Sequence, residues 1–226
     1  SPHGGWLESD RRETPRRQNP HMHLFEAFLA LHRVTGREDF LARANALRVL
    51  FGRVFYDPDH GVVREFFDAE WNLKGDDQPV EPGHMLEWSW LLGAYERAGG
   101  EGGVEIRRKL YARARVLGLD PGFFGFYDNH SPLNGGAHGA KRLWPQTEGL
   151  RAALSLGHKE DAALLADNLF RTYLATEVAG LWIDEFDADG RPVAKDTPAS
   201  IAYHLFEAVA EADAVLNAVS SSGEAG

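Results

Sequence analysis

The feature that most constrains how this chain can fold is an internal repeat of about 60 residues. Four short runs begin with glycine and continue with aromatic or β-branched residues, starting at Gly5, Gly61, Gly122 and Gly180. Each run is bounded by Gly, Asp or Asn, which is typical of a short strand followed by a turn. The clearest predicted turn covers residues 187–190.

A proline and then a stretch with helical periodicity follow each strand-like run. Apolar residues spaced at i, i+3, i+4 and i+7 predict helices over about 20–35, 83–98, 145–157 and 198–218. A second helix is predicted after each of the first three, over about 38–55, 101–117 and 159–175. Asn19 and Thr197 each precede a proline, and we expect them to cap their helices.

Units of two helices and a strand cannot bury their apolar faces alone, so they must stack on their neighbours. About six such pairs close into an α/α toroid, whereas an open stack makes an α-solenoid. Because this chain holds about three and a half pairs, it cannot close a ring by itself. We expect one domain over 1–219 and a disordered tail over 220–226. The start at Ser1, inside a unit, indicates a piece of a longer protein.

Composition excludes several classes of function. The chain has 34 acidic and 24 basic residues, a net charge of −10, which disfavours nucleic acid and anionic membranes as partners. With no cysteine there is no disulfide framework, no thiolate nucleophile and no Cys-ligated zinc. We find no apolar run of about 18 residues and no export signal, and we expect a cytoplasmic protein.

The polar residues that are costly to bury recur at one place in the repeat, just after each proline. Counting from that proline, His23 lies at the third position, His84 at the second, Glu148 at the third and His204 at the sixth. One helical turn separates these positions, so all four side chains can face one side of the stack. We therefore predict that they meet at the mouth of one cavity.

Each of the three histidines also has a glutamate three residues later, and we expect that carboxylate to orient its imidazole. A single histidine near a helix start is more often structural than functional. Three at matched repeat positions favour function, because packing alone does not require imidazole there. The other histidines in helices and loops, His32, His60, His130, His138 and His158, are interpreted as structural or surface residues.

The tryptophans leave two interpretations open. Trp88 and Trp90 are candidates for the core, whereas Trp144 and Trp182 could pack in the core or stack on the apolar face of a sugar. A metal site is also considered, because His21 and His23 resemble a ligand pair. On a helix their rings point about 200° apart, so we expect no metal.

Four ordered motifs carry a resemblance to a known family: residues 19–27 (NPHMHLFEA), 82–88 (PGHMLEW), 142–148 (RLWPQTE) and the pair Tyr203 and His204. They resemble the motifs of the N-acylglucosamine 2-epimerase superfamily, most of all those of its mannose isomerase branch. The resemblance covers nearly the whole chain. It implies an all-α fold, an incomplete (α/α)6 barrel with short β-hairpins at one end, corresponding to the C-terminal part of the family barrel.

The same resemblance implies an activity. Members interconvert aldoses with ketoses, or epimerise them at C2, through an enediolate and without a metal or other cofactor. By resemblance His84 and His204 are the acid and base, His23 and Glu87 contact substrate, and Trp144 and Glu148 form the cavity wall. Asn19, from the first motif, and Trp182, from its capacity to stack, are further substrate-binding candidates. The expected partner is a monosaccharide or small sugar of the mannose type.

Two other functions remain open at this point. An α/α-toroid glycoside hydrolase would use two carboxylates chosen from Glu26, Glu87, Glu148 and Asp184. Alternatively, the chain is a catalytically incomplete helical-repeat fragment that binds a sugar without turning it over. Apolar helix faces at the incomplete edge would favour self-association.

Overall fold

A computed structural model describes residues 3–75, 77–131, 136–193 and 195–223. Its described part is mainly helical, with helices at the bounds that follow: α1 (Asn19–Thr35), α2 (Glu38–Leu50), α3 (Pro82–Arg97), α4 (Val104–Gly118), α5 (Leu143–Leu156), α6 (Lys159–Asn168) and α7 (Ala202–Gly223). One π-helical turn extends α2 (Phe51–Phe55) and another extends α6 (Leu169–Tyr173), and a 3-10 turn (Ala199–Ile201) leads into α7.

The helices form two layers. In one layer α1 packs on α3, α3 on α5 and α5 on α7, so that the first helix of each repeat lies beside the first helix of the next. In the other layer α2, α4 and α6 each cover the helix that precedes them in the chain. This is an arc of the α/α barrel, and the predicted fold class is confirmed.

Short strands connect the helices. They are β1 (Arg16–Arg17), β2 (Tyr56–Asp57), β3 (Val62–Val63), β4 (Phe66–Phe67), β5 (Leu119–Asp120), β6 (Gly125–Phe126), β7 (Asn129–Ser131), β8 (Gly136–His138), β9 (Lys141–Arg142) and β10 (Glu185–Phe186). They pair antiparallel in twos, β1 with β4, β2 with β3, β5 with β6, β7 with β8 and β9 with β10. The predicted turn over 187–190 is present, with Gly190 at a φ of 80° and its N–H donating to the carbonyl of Asp187.

The boundaries differ from the predicted ones in three places. Asn19 lies inside α1 and does not cap it, because its side-chain amide contacts His84 instead. Thr197 does not cap α7 either, since its hydroxyl donates to the carbonyl of Trp182. The last helix continues to Gly223, past the start of the predicted tail at 220, whereas residues 224–226 lie outside the described residues.

The core is a cluster of buried aromatic and aliphatic residues that reaches from Met22 in α1 to Ala208 in α7. Trp88 is fully buried and stacks on Phe51 with 4.1 Å between ring centroids, and its indole N–H donates to Gln18. By contrast, Phe206 and Leu216 on α7 are largely exposed, which matches the apolar edge expected from the sequence. In the described part of the chain, no helix combines the length and the apolar character that crossing a bilayer requires.

The close contact between α3 and α5 depends on Gly83. A Cβ atom at Gly83 would lie 2.5 Å from the indole of Trp144, on the neighbouring helix, so any side chain there would push that ring away. Gly83 has a helical backbone conformation that any residue can adopt, so glycine is not required there for its conformational freedom. The reason is space.

Replacing Gly83 with alanine should therefore destabilise the protein, although the same change inside a helix ordinarily stabilises by about 1 kcal/mol. We expect Gly83→Ala to lower the free energy of unfolding by about 1–3 kcal/mol, the usual effect of overpacking, as measured by urea denaturation. Gly52→Ala is the control, because its Cβ would meet only the flexible end of Arg48, at 3.4 Å. Equal stability of the two variants would contradict the packing argument.

Candidate functional site

A cavity of about 360 Å³ opens where the first turns of α1, α3, α5 and α7 come together. The strand pairs lie at the same end of the helices, and β1, β4 and β9 each contribute a residue to the rim of the cavity. Its walls consist of Arg17, Asn19, His23, Glu65, Phe66, Glu81, His84, Glu87, Arg142, Trp144, Ile201 and His204. Three histidines from three different helices thus face one space, as the repeat spacing predicts.

His84 is held between two carboxylates. Its Nδ1 lies 3.0 Å from Oε1 of Glu65 and 3.6 Å from Oε2 of Glu81, and its Nε2 lies 3.0 Å from the side-chain amide of Asn19. Burial alone would lower the pKa of His84, but the charges of Glu65 and Glu81 and the Glu65 hydrogen bond raise it to about 9. This pKa favours the imidazolium form of His84, which requires the side-chain oxygen of Asn19, rather than its nitrogen, to face Nε2, because an amide nitrogen does not accept a hydrogen bond.

His204 is paired differently. Its Nδ1 lies 2.8 Å from Oε1 of Glu148, a fully buried carboxylate on α5 that also accepts a hydrogen bond from the indole of Trp90. Burial opposes ionisation of Glu148, yet the His204 hydrogen bond and the charge of Arg151 hold the pKa of that carboxyl below its ordinary value. A carboxylate on Nδ1 leaves Nε2 of His204 as the free ring nitrogen.

His23 lies beside His204, with 6.2 Å between ring centroids. Its Nδ1 is 3.4 Å from Oε1 of Glu87 and 3.8 Å from Oε2 of Glu26. Glu87 is buried, and neither of its oxygens has a hydrogen-bond partner in the described structure. Burial, together with the negative charges of Glu148 and Glu26, raises the pKa of Glu87 well above its ordinary value, which favours the protonated form of this side chain.

Trp144 joins the two paired histidines. Its ring centroid lies 5.1 Å from that of His84 and 5.9 Å from that of His204, with both rings tilted by 37° to the indole. The indole is 7% exposed and lines the cavity. Such a surface matches the apolar face of a sugar ring.

The predicted site residues divide into two groups. Six of them line the cavity, namely Asn19, His23, His84, Glu87, Trp144 and His204. Two do not: Glu148 lies behind His204 without contacting the cavity, and Trp182 packs against the core away from it.

The expected pairing of each histidine with the glutamate three residues later is largely wrong. His84 pairs with Glu65 and Glu81, and His204 pairs with Glu148 on another helix. The reason is that other carboxylates lie closer to Nδ1, Glu65 at 3.0 Å from His84 and Glu148 at 2.8 Å from His204. Only His23 approaches its own glutamate, Glu26, and that contact is long. His130, interpreted as a loop or surface residue, is buried in β7.

Four charged residues that complete the cavity wall were not predicted from the sequence: Arg17, Glu65, Glu81 and Arg142. Glu65 had a signal, because it is a carboxylate that directly follows the buried run Val62–Val63 and Arg64. Arg142 is tied by its Nε to Asp128 at 2.7 Å and Arg17 by its Nη2 to Glu8 at 2.9 Å. Neither pairing follows from sequence spacing.

Three groups of histidine and carboxylate atoms lie close enough together to surround a cation: His23, Glu26 and Glu87; Glu65, Glu81 and His84; and Glu87, Glu148 and His204. In the second and third groups the imidazole Nδ1 is already hydrogen-bonded to a carboxylate. We interpret these contacts as ion pairs, and the expectation of no metal stays a prediction. His21 is buried away from the cavity, where it contacts the backbone of Arg17 and Trp6.

Comparison with known proteins identifies the family. The sequence model of the N-acylglucosamine 2-epimerase (GlcNAc 2-epimerase) family matches residues 1–208. The chain belongs to this family. A protein of Rhizobium meliloti (strain 1021) named mannose-6-phosphate isomerase is 36% identical over 230 residues, covering 93% of this chain and 58% of that protein. This member of the N-acylglucosamine 2-epimerase family thus spans less than two thirds of the length of that relative.

Solved structures share the fold of this epimerase-family chain. A D-mannose isomerase superposes with a TM-score of 0.80 at 21% identity, covering 93% of this chain and 60% of that one. The GH76 α-mannanase BT2949 of Bacteroides thetaiotaomicron superposes with a TM-score of 0.71 at 10% identity, covering 92% of this chain and 55% of that one. Because an isomerase and a hydrolase share this arc, the fold alone does not identify the reaction.

The charge on His84 can be tested by titration. We expect nuclear magnetic resonance of its ring to show an imidazolium at pH 7 that titrates near 9, and Glu65→Gln to lower that midpoint. Since the folded pKa exceeds the ordinary value of 6.5, the stability from this pair is full below about 6.5 and is lost as pH rises through about 9. A neutral ring at pH 7 would contradict the assignment.

Glu87 can be tested by making it permanently neutral. A buried carboxyl with a raised pKa costs stability as the pH rises above 4.5, because the unfolded chain releases the proton first. We expect Glu87→Gln to be at least as stable as the parent at pH 8 in urea denaturation, with the difference vanishing near pH 4. The control is Glu101→Gln, at an exposed position. If Glu87→Gln instead becomes progressively less stable than the parent as the pH rises, Glu87 is ionised in the folded protein.

Proposed function

We propose that this chain is the catalytic part of a sugar isomerase or 2-epimerase that acts on a mannose-type aldose by histidine acid/base proton transfer, without a metal. The observation that carries the proposal is the pair of imidazoles on one cavity wall with different carboxylate partners: His84, held by Glu65 and Glu81, and His204, oriented by Glu148 through Nδ1. A reaction that moves a proton next to a carbonyl needs one acid and one base.

The geometry supports a division of the two roles between the histidines. Nε2 of His204 takes the proton from C2 of the open-chain aldose, and Nδ1–H stays donated to Glu148. The imidazolium of His84 donates a hydrogen bond to the carbonyl oxygen. This stabilises the negative charge that develops on that oxygen as the enediol or enediolate forms. In the preceding ring-opening step, His84 protonates the ring oxygen while the anomeric hydroxyl loses its proton and becomes the C1 carbonyl; transfer of that proton to His84 restores the imidazolium.

The return of the proton decides the product. If His204 delivers it to C1 and the C2 hydroxyl becomes the carbonyl, the product is the ketose. If a proton is delivered to C2 from the opposite face, the product is the epimer. His23 borders the same space, with its Nδ1 3.4 Å from Oε1 of Glu87, and these two side chains provide polar contacts for sugar hydroxyls.

The wall favours an uncharged sugar. The volume of the cavity lies at the lower end of the range usual for small-molecule sites. Trp144 offers an apolar face, and both wall arginines are paired with carboxylates, Arg17 with Glu8 and Arg142 with Asp128. Relatives are named for mannose and for mannose 6-phosphate, and both sugars belong in the test.

The glycoside hydrolase alternative is less well supported. Of the carboxylates that it would use, only Glu87 lines the cavity. Glu148 is buried behind His204, while Glu26 and Asp184 lie outside the cavity wall. The mannanase superposition supports only a common fold. The third possibility, sugar binding without turnover, has one observation in its favour, the 58% share of the relative's length that the chain covers.

Proton exchange with solvent tests the proposal. We expect incubation with mannose in D2O to place deuterium at C2 of the aldose or C1 of the ketose, detected by NMR. His84→Asn and His204→Asn should each lower the exchange rate by roughly 10²–10⁴-fold, the usual contribution of a general acid or base. Fructose and mannose 6-phosphate are tested in parallel.

The matched control is His60→Asn, because His60 is also paired with a carboxylate, Asp57 at 2.9 Å, but lies outside the cavity. We expect its exchange rate to equal that of the parent chain. Sugar binding without any label would support the non-catalytic alternative. Release of a sugar from a mannoside, insensitive to His84→Asn and His204→Asn, would support the hydrolase.

A further inference from the structure

Arg151 is the most heavily paired cation in the described part of the chain, yet it lies outside the wall of the histidine cavity. It stands on α5, three residues after Glu148, and is 2% exposed. Its guanidinium lies flat over the ring of Trp90, with 3.4 Å between Cζ and the ring centroid. The stacking restricts the plane of the guanidinium, so its N–H groups point in fixed directions.

Those directions lead to carboxylates on three helices. On α7, Glu211 receives hydrogen bonds from Nε at 3.2 Å and from Nη2 at 3.0 Å, and Glu207 lies 3.7 Å from Nη2. On α5, Glu148 lies 3.6 Å from Nη1. On α1, Glu26 lies 3.5 Å from Nη1. Arg151 therefore lies between the outer acids of α7 and the two acids next to the histidines.

The Glu211 contacts use Nε and Nη2, which both donate to the same oxygen, Oε1, and they leave Nη1 for other partners. The contacts of Nη1 instead reach the carboxylates that lie next to the histidines. Glu148 orients His204, and Glu26 is the acid 3.8 Å from His23. One guanidinium thus adjoins the carboxylates behind two of the three histidines.

We propose that Arg151 is a positioning residue: it holds Glu148 in line with His204 and Glu26 beneath His23, and so orients two of the histidines without contacting the substrate. This inference deepens the proposed function and rests on it. Its physical basis is that a buried carboxylate keeps its charge and its direction only where a cation and hydrogen-bond donors face it.

The position of Arg151 also explains why two adjoining buried acids differ. Burial raises the pKa of both, but Glu148 has His204, Arg151 and Trp90 around it, and its pKa falls below the ordinary value. Glu87 has no hydrogen-bond donor in the described structure, and the charge of Arg151, which also acts on it, is outweighed by burial and by the charges of Glu148 and Glu26. On the far side of Arg151, Glu207 and Glu211 face it from α7, with Arg97 acting on Glu211 from α3.

The first experiment measures the Glu148 carboxyl directly, without substrate. Carbon-13 NMR of glutamate-labelled chain follows its titration in the parent and in Arg151→Met. Removing the cation should raise the Glu148 midpoint by about one pH unit or more, the effect expected of a nearby opposite charge. Arg151→Lys, which keeps the charge, should raise it less.

Arg107→Met is the matched control. Arg107 is also a buried arginine with an acid partner, Glu96 at 3.4 Å, and it bonds to Ser155, but it lies on α4 away from the cavity. We expect Arg107→Met to lower stability and to leave the Glu148 midpoint unchanged. If Arg151→Met does not fold, Arg151→Gln, neutral but still a hydrogen-bond donor, provides the same comparison. An unchanged Glu148 midpoint in the folded neutral variant would overturn the proposal.

The second experiment uses the rate of C2 proton exchange as a function of pH. In Arg151→Met the Glu148 carboxyl is protonated more readily, so the loss should grow as the pH falls and be a few-fold (about threefold for a one-unit rise of the midpoint) greater at pH 5 than at pH 8. Arg151→Lys should recover the shape of the profile with a lower maximum, because an ammonium cannot replace the planar fork. A uniform loss at every pH, as from a smaller folded fraction, would contradict the positioning role.

The two proposals fail separately. If the parent chain shows no exchange, the sugar chemistry fails while the Glu148 titration still decides the role of Arg151. If the parent exchanges and the neutral Arg151 variants keep the parent's Glu148 midpoint and pH profile, only the positioning role fails.

Discussion

The arrangement of the site depends on one constraint: an imidazole or a carboxylate that is removed from water must face an opposite charge or a hydrogen-bond partner. His84 satisfies it with Glu65 from the strand before its own helix, and His204 satisfies it with Glu148 from the neighbouring helix. Each pair therefore spans two elements of the repeat. The histidines are oriented only when the helices have packed, so the site is a product of the stacking and not of any single repeat.

The elements of the fold could be predicted from sequence because they rest on local rules. Helical periodicity and a proline at the helix start set α1 and α3 to within about two residues, the usual uncertainty of a helix end. The placement of the three histidines could be predicted for the same reason, since it follows from the period of the repeat. The carboxylate partners of these histidines could not be predicted in the same way. His84 leans back towards Glu81 and Glu65, away from Glu87, and this direction becomes decisive only once the preceding strand is in place.

Buried charge also explains why neighbouring acids in this site have different chemistry. Glu148 and Glu87 both lie inside the protein, and both come from first turns in the same layer of helices. What separates them is which donors face them: an imidazole, an indole and a guanidinium for Glu148, and a single imidazole edge at 3.4 Å for Glu87. Sequence shows two glutamates. Only their surroundings lower the pKa of one and raise the pKa of the other.

The same reasoning limits what the fold can say about the reaction. An α/α arc brings the first turns of successive helices to one end, and any side chains placed there converge, whether in an isomerase or in a mannanase. A hydrolase would need two carboxylates free to face the sugar, one as acid and one as base or nucleophile. Here the carboxylates nearest the cavity are mostly committed to imidazoles, Glu65 and Glu81 to His84 and Glu148 to His204. That commitment turns the acids into supports for imidazoles, and imidazoles oriented by carboxylates are suited to moving a carbon-bound proton rather than to cleaving a glycosidic bond.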